Sequence, residues 1–104
     1  MNLLLGFLSG MFLANGVPHF VSGIMGKSHM TPLGKESSAV VNIVWGFINI
    51  LGGMWLFNVS GATIRQAFSF DMFSISFLAG VLFMAIADAG LFSNPNAAFP
   101  WFKK

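Results

Sequence analysis

Residues 3–25, LLLGFLSGMFLANGVPHFVSGIM, decide the fold, because His19 is the single ionisable side chain in this whole stretch. Two later runs share this character: residues 38–57 contain no ionisable side chain, and residues 72–92 contain Asp88 alone. A helix rises about 1.5 Å per residue, so runs of this length span roughly 30–35 Å, which matches the hydrocarbon core of a bilayer. The sequence therefore predicts an all-α integral membrane protein with three transmembrane helices.

The composition agrees with a membrane protein and excludes several kinds of site. Hydrophobic residues make up 56% of the 104 residues and charged residues 8%, against about 25% charged residues in an ordinary soluble domain. A soluble domain this small needs a polar shell that so few charges cannot supply. The net charge of +2 gives no argument for nucleic-acid binding, and the absence of cysteine excludes disulfides and thiolate chemistry. We expect one transmembrane domain over residues 1–104, surrounded by membrane lipid.

The basic residues predict how the chain is oriented. With three spans, the first loop and the C-terminus lie on the same side of the membrane. That side carries four lysines, against Arg65 alone on the other side; the four are Lys27, Lys35, Lys103 and Lys104. Because positive charge is retained in the cytoplasm, we expect the N-terminus outside the cell and the C-terminus in the cytoplasm.

The connections between the spans are short and polar. The first, residues 27–37, contains His29, which we expect to be solvated. The second, residues 58–70, is expected to hold one amphipathic turn over residues 64–68 that lies on the membrane surface. The tail after residue 93 contains two prolines, so it is not expected to be helical throughout. The expected interfacial anchors are Trp55, Trp101 and the Lys103-Lys104 pair.

Polar and small residues recur at helical spacing within the spans. Asn15 and His19 are four residues apart and therefore share a face of the first helix. Amides and glycines occupy one stripe of the second helix, at Asn42, Gly46, Asn49 and Gly53. The glycines expected at helix-packing contacts are Gly6, Gly10, Gly46 and Gly53.

The polar residues also fall at matching depths when the midpoint of each run is placed at the bilayer centre. His19 and Asp88 then lie about 7–9 Å toward the cytoplasm, and Asn42 lies at a similar depth. Asn15 and Asn49 lie close to the midplane. The spans contain no other ionisable residue, so we expect His19 and Asp88 to form a direct pair.

Each of these features has a structural interpretation beside a functional one. Stripes of Asn and Gly are most simply helix-packing surfaces, since small residues allow close approach and amides bond across helices. His19 follows Pro18 and could satisfy backbone groups that the proline frees. Asp88 lies one turn from its helix end, where the helix dipole disfavours an anion. A structural pair of Asp88 with His19 or Asn42 and a proton-handling role both remain open.

Metal, cofactor and catalytic sites are not indicated. A metal site needs three or four ligands, whereas His19 and Asp88 supply two. The sequence contains no nucleotide-binding loop, so we expect no cofactor. Serines are present, but nothing in the sequence places one beside His19 together with an oxyanion hole, so hydrolytic catalysis has little support.

The segment over residues 13–49 resembles a family of small bacterial integral membrane proteins. The resemblance lies in an Asn-Gly-x-Pro-His-Phe motif, a Thr-Pro turn and an Asn-x-x-Trp-Gly-x-x-Asn motif, and it covers under half of the chain. It implies a bacterial inner-membrane location and no particular activity. The positions that it singles out are Asn15, Pro18, His19, Asn42, Trp45 and Asn49. Asp88 lies outside the matched segment.

Three functions are compatible with these observations. The leading hypothesis is a non-enzymatic membrane protein that self-associates or serves as a subunit of a larger membrane complex, because glycine-rich faces invite partners. The second is a small transporter or proton-coupled carrier that uses His19 and Asp88. The third is a membrane enzyme acting on a lipid or isoprenoid, with the same two residues as acid and base.

Overall fold

The computed structural model describes residues 2–102 and shows three long helices joined by a small hairpin and a short helix. In chain order the elements are α1 (Leu3–Ile24), β1 (His29–Thr31), β2 (Gly34–Ser37), α2 (Ala39–Val59), α3 (Ile64–Ala67) and α4 (Met72–Phe92). Helices α1, α2 and α4 are each long and apolar enough to cross a membrane. The predicted fold class is therefore confirmed, and the helix ends lie within two residues of the expected bounds.

Each long helix begins at a side chain that caps it. Asn2, Ser38 and Asp71 each accept a hydrogen bond of 3.1–3.2 Å from the backbone N–H three residues later. The hydrogen bond from the backbone N–H of Ser74 is the main reason that the pKa of Asp71 is lowered. These caps satisfy backbone donors that the first turn of a helix would otherwise leave unpaired.

Helix α1 lies between α2 and α4 and packs closely against both. A Cβ added at Gly10 would collide with the backbone carbonyl of Phe77, and one added at Gly46 would lie 2.7 Å from the backbone nitrogen of Phe20. Each of the four glycines that the sequence assigns to helix packing meets a neighbouring helix of this chain in this way: Gly6, Gly10, Gly46 and Gly53. These glycines therefore allow close approach within a single copy.

The first connection folds into a hairpin, which the sequence did not predict. Strands β1 and β2 pair antiparallel, with His29 opposite Ser37 and Thr31 opposite Gly34. Inside the hairpin, the Thr31 and Ser37 hydroxyls are 2.7 Å apart, and both residues are buried. The polar connection is thus an ordered element that lies on one end of the bundle.

The C-terminal tail fastens onto this hairpin. The indole N–H of Trp101 donates to the carbonyl of Pro32 at 2.6 Å, and the Lys35 ammonium donates to the carbonyl of Pro95 at 2.8 Å. Together, residues 29–37 and 95–102 form what we call the cap. Trp101, an expected interfacial anchor, is therefore part of the cap, and Lys103-Lys104 lie outside the described residues.

The second connection contains the expected short turn. Helix α3 starts at a capping box in which the side chain of Thr63 accepts from the Gln66 backbone and the side chain of Gln66 accepts from the Thr63 backbone. The backbone N–H of Asn2 donates to the carbonyl of Ser60 at 2.8 Å, so this connection and the start of α1 meet at the end of the bundle opposite the cap.

Candidate functional site

Asn42 joins the helices to the cap. It is fully buried, and its amide nitrogen donates to three backbone carbonyls at 2.9–3.0 Å, those of His29, Ser37 and Ser38. Three acceptors around one nitrogen fix the orientation of the amide. Asn42 Oδ1 consequently points at Nδ1 of His19, 2.9 Å away. Because this oxygen can only accept, Nδ1 of His19 carries a proton and donates it to Asn42.

Two histidines and a phenylalanine cluster beside this contact. The ring of His29 lies 5.1 Å from that of His19 and 4.1 Å from that of Phe92, measured between centroids. The Nε2 atom of His29 is buried and has no hydrogen-bond partner among residues 2–102. Burial also lowers the pKa of His29. The expectation that His29 is solvated is therefore wrong, because the hairpin folds it back against α1 and α4.

A second group of polar side chains lies deeper in the bundle. The amide nitrogen of Asn49 donates to the backbone carbonyl of Trp45 at 2.9 Å, and the amide nitrogen of Asn15 donates to Oδ1 of Asn49 at 3.0 Å. The other terminal atom of the Asn15 amide lies 3.1 and 3.0 Å from the two carboxyl oxygens of Asp88. Asp88, Asn15, Asn49 and Trp45 thus form one continuous row, which we call the amide chain.

The direct pair expected between His19 and Asp88 is not formed. No ion pair joins these two side chains, both of which lie in the described part of the chain; His19 bonds Asn42 and Asp88 meets Asn15. Helices α1 and α4 run in the same direction, and the two side chains have different partners. The bond to Asn42 holds the ring of His19 toward α2, whereas the carboxyl of Asp88 meets Asn15, one turn nearer the start of α1.

His19 and Asp88 nevertheless share a small cavity of about 60 Å³ between the helices and the cap. Asn15 and the ring of Trp45 also line it, and Pro32 and Phe99 belong to its cap side. All the polar candidates from the sequence except Asn42 and Asn49 therefore reach this cavity, and those two lie one hydrogen bond behind it.

Asp88 also borders a larger open groove of about 580 Å³ between α1 and α4. Apolar side chains such as Val17 and Ala85 form most of its wall, and Lys27 and His29 stand at the end nearest the cap. Phe92 also lines both the groove and the cavity. The carboxyl of Asp88 can thus be approached from either one.

Sequence reasoning missed His29 and Phe92 as neighbours of the site. Nothing in the sequence pattern singles out Phe92 among 13 phenylalanines, and the position of His29 depends on the hairpin. Among residues 2–102, no group of three or more His, Cys, Asp or Glu residues is placed to hold a metal ion.

The chain matches no model of a known protein family, no curated protein and no solved structure. The resemblance seen over residues 13–49 therefore stays a prediction, and the function has to be argued from the geometry of the site.

Proposed function

We propose that this chain is a small, non-enzymatic membrane carrier that moves protons, in which Asp88 takes up and releases the proton. The observation that supports this proposal best is the position of Asp88, which borders both the cavity beneath the cap and the open groove. It is the single acidic residue of the three spans. An acidic side chain inside a membrane span is costly and marks a proton or ion path in many membrane proteins.

His19 supplies a second proton-binding group at the same cavity. Its Nδ1 is committed to Asn42, which leaves Nε2 as the nitrogen that can exchange a proton. A cavity of about 60 Å³ is large enough to hold water, since one molecule needs roughly 10–15 Å³ of such space. We propose that water in this cavity links His19 to Asp88, in place of the direct pair.

The surroundings of the site suit a carrier. Pro18 lies inside the continuous helix α1 next to His19, and it removes the backbone N–H that would bond the carbonyl four residues earlier. The cap lies over the site, and two hydrogen bonds join its tail to its hairpin; displacement of the tail, whose Phe99 lines the cavity, would open the cavity to water.

The second part of the proposal is that the chain assembles with further copies or other subunits. The sequence-based hypothesis rested on glycine-rich helix faces, and the structure does not support that argument. The glycines that were expected to attract partners pack against helices of the same chain. Support comes instead from α4, the least buried of the three spans in a single copy. A carrier of three helices has little volume of its own, so a partner along α4 would complete the path.

The enzyme hypothesis has less support from the geometry. His19 donates to an amide oxygen, and it does not contact a hydroxyl that it could activate as a nucleophile. The hydroxyls of Ser9 and Ser76 donate to the backbone carbonyls of Gly53 and Leu3 at 2.7 and 2.6 Å, respectively. These serines therefore hold helices together.

The protein is a multi-pass membrane protein by the length and hydropathy of its helices. We further propose that it resides in a bacterial inner membrane with the cap on the cytoplasmic side. The support is the excess of lysine at the cap end, where Lys27 and Lys35 lie, together with the resemblance over residues 13–49.

Proton movement through purified protein in lipid vesicles tests the carrier proposal. The vesicles enclose a pH-sensitive dye, and a pH step is applied while potassium and an ionophore clamp the membrane potential. We expect wild-type protein to acidify the vesicles faster than Asp88→Asn, since the amide cannot carry the proton. Ala87→Ser is the matched control, because Ala87 precedes Asp88 and is exposed outside the groove; it should match wild type. Equal rates for wild type and Asp88→Asn would contradict the proposal.

A further inference from the structure

The backbone carbonyl of Trp45 fixes the orientation of the two side-chain amides in the amide chain. The backbone carbonyl of Trp45 can only accept a hydrogen bond, so the atom of Asn49 that lies 2.9 Å from it must be the amide nitrogen. The opposite atom of that amide, Oδ1, then faces Asn15. It is an acceptor in its turn, so the atom of Asn15 at 3.0 Å must be the amide nitrogen as well.

The same reasoning extends to Asp88. With its nitrogen turned toward Asn49, Asn15 presents Oδ1 to Asp88, 3.1 and 3.0 Å from the two carboxyl oxygens. An ionised carboxylate can only accept, so it would place three acceptor oxygens against one another. A protonated carboxyl donates its O–H to Asn15 and completes the chain.

We propose that Asp88 is a proton-binding site and that the orientation of the Asn15 and Asn49 amides stabilises its protonated form. Release of the proton then requires both side-chain amides to rotate by half a turn. The inference rests on the proposed function, because it assigns the resting position of the proton that a carrier would move. The class of ligand is the proton itself, bound on a carboxyl oxygen and directed at an amide oxygen.

If Asp88 is ionised, the amide nitrogen of Asn15 has to face its carboxylate. That orientation leaves two acceptor oxygens facing each other farther along the amide chain. If Asn15 turns over, its nitrogen can donate to both carboxyl oxygens, but its oxygen then faces Oδ1 of Asn49. If Asn49 also turns over, its oxygen faces the carbonyl of Trp45 at 2.9 Å. Asn49 is buried, so this repulsion is not relieved by solvent. Proton release therefore breaks the inner end of the chain.

Other titratable groups from the neighbouring elements line the two spaces that Asp88 borders. Helix α1 contributes His19 through the cavity, and the connection after α1 contributes Lys27 through the groove. Strand β1 contributes His29 to the groove wall. Helix α2 contributes no titratable side chain to either space, and no charged residue of the described tail lines them. The positive charge of Lys27 stabilises the ionised carboxylate of Asp88 and therefore favours release of the proton.

Infrared spectroscopy tests the inference with the intact protein in lipid. A protonated carboxyl has a carbonyl stretch distinct from that of a carboxylate, and labelling aspartate with ¹³C shifts it away from the backbone band. The sequence contains two aspartates, and Asp71 is exposed at the start of α4, so it is ionised at neutral pH. We expect a protonated-carboxyl band at neutral pH in wild type and complete loss of this band in Asp88→Asn. Absence of the band in folded wild-type protein at neutral pH would overturn the inference.

A second variant tests whether the chain sets the protonation state. Asn49→Ala frees Asn15 to turn its nitrogen toward the carboxyl, so the band should disappear at a lower pH than in wild type. Asn58→Ala is the matched control, since it removes an exposed amide from the same helix outside the chain; it should leave the band unchanged. A band that persists to the same or a higher pH in Asn49→Ala would overturn the role of the chain.

The two proposals can fail separately. A protonated-carboxyl band together with equal proton movement in wild type and Asp88→Asn would support the loaded site and reject the carrier. Proton movement that depends on Asp88, without the band, would support the carrier and reject the amide chain as the element that holds the proton.

Discussion

Asn42 Oδ1 lies 2.9 Å from Nδ1 of His19, and this contact fixes which nitrogen of the histidine carries its proton. The orientation of Asn42 is in turn set by three backbone carbonyls of the cap and the start of α2. The position of His19 at the cavity therefore depends on the folding of the hairpin. Two amide-centred networks, around Asn42 and around Asn15, thus hold the two ionisable groups of the spans.

Asn42→Ala should destabilise the protein more than any exposed substitution of the same type. It leaves the carbonyls of His29 and Ser37 and the Nδ1–H of His19 without this partner, whereas the carbonyl of Ser38 keeps its bond from the backbone N–H of residue 42. A buried unsatisfied polar group costs about 1–3 kcal/mol. Unfolding in mixed micelles measures the change. Asn58→Ala, at an exposed position of the same helix, should change the free energy of unfolding by no more than about 0.5 kcal/mol. Equal losses in the two variants would show that Asn42 does not hold the cap.

Asp88→Asn should be nearly neutral for stability, whereas Asp88→Leu should cost about 1–3 kcal/mol, because leucine leaves Oδ1 of Asn15 unpaired. The new amide can donate to that same oxygen in place of the protonated carboxyl. An ion pair between His19 and Asp88 would give a different result, since Asp88→Asn would then be strongly destabilising. The same unfolding measurement separates these cases, and a large loss in Asp88→Asn would contradict the protonated form.

Gly46→Leu should prevent normal packing of α1 against α2. A Cβ at this position would lie 2.7 Å from the backbone nitrogen of Phe20, and overpacking of this kind costs about 1–3 kcal/mol or more. Gly90→Leu is the control, because nothing lies within 4 Å of a Cβ added there. If crosslinking of copies falls in Gly46→Leu while the unfolding of each copy is unchanged, the glycine stripe works between copies and the packing described here is wrong.

Stability should depend on pH through His29. Burial lowers its pKa below the ordinary value of 6.5, so the unfolded chain binds more protons than the folded chain at and somewhat below that pH. The free energy of unfolding should be full above pH 6.5, decrease as the pH falls through this value, and level off below the folded-state pKa. In His29→Phe, which keeps an aromatic ring against Phe92, the decrease should be smaller. An unchanged pH dependence in that variant would show that His29 is not the group responsible.

The three spans could be predicted because their signal is local: long apolar runs with capping residues at their starts. The shared depth of Asn15 and Asn49, and of His19 and Asn42, also followed from placing the midpoint of each run at the bilayer centre. The hairpin could not be predicted in the same way. Its strands are three and four residues long, and the bonds that hold it come from Asn42 and from the tail, which are distant in sequence.

The position of Asp88 shows a second limit of the sequence. Depth along a helix was measured at the backbone, whereas the partner of Asp88 is decided by where its carboxyl points. Asn15 lies one turn from His19 on α1, so a shift of about one turn is enough to exchange His19 for Asn15 as the neighbour of Asp88. Contacts of this kind depend on the rotation of α1 against α4, which the close approach at Gly10 sets.

Proton counting tests the central claim most directly. Purified wild-type protein and Asp88→Asn, each in lipid nanodiscs, are titrated from about pH 5 to 8, the range in which histidine also titrates, and the protons released per chain are measured. If Asp88 exchanges a proton with water, wild type releases up to one proton more than the variant, and the difference appears together with the loss of the protonated-carboxyl band. Identical proton release from the two proteins over this range would contradict the account.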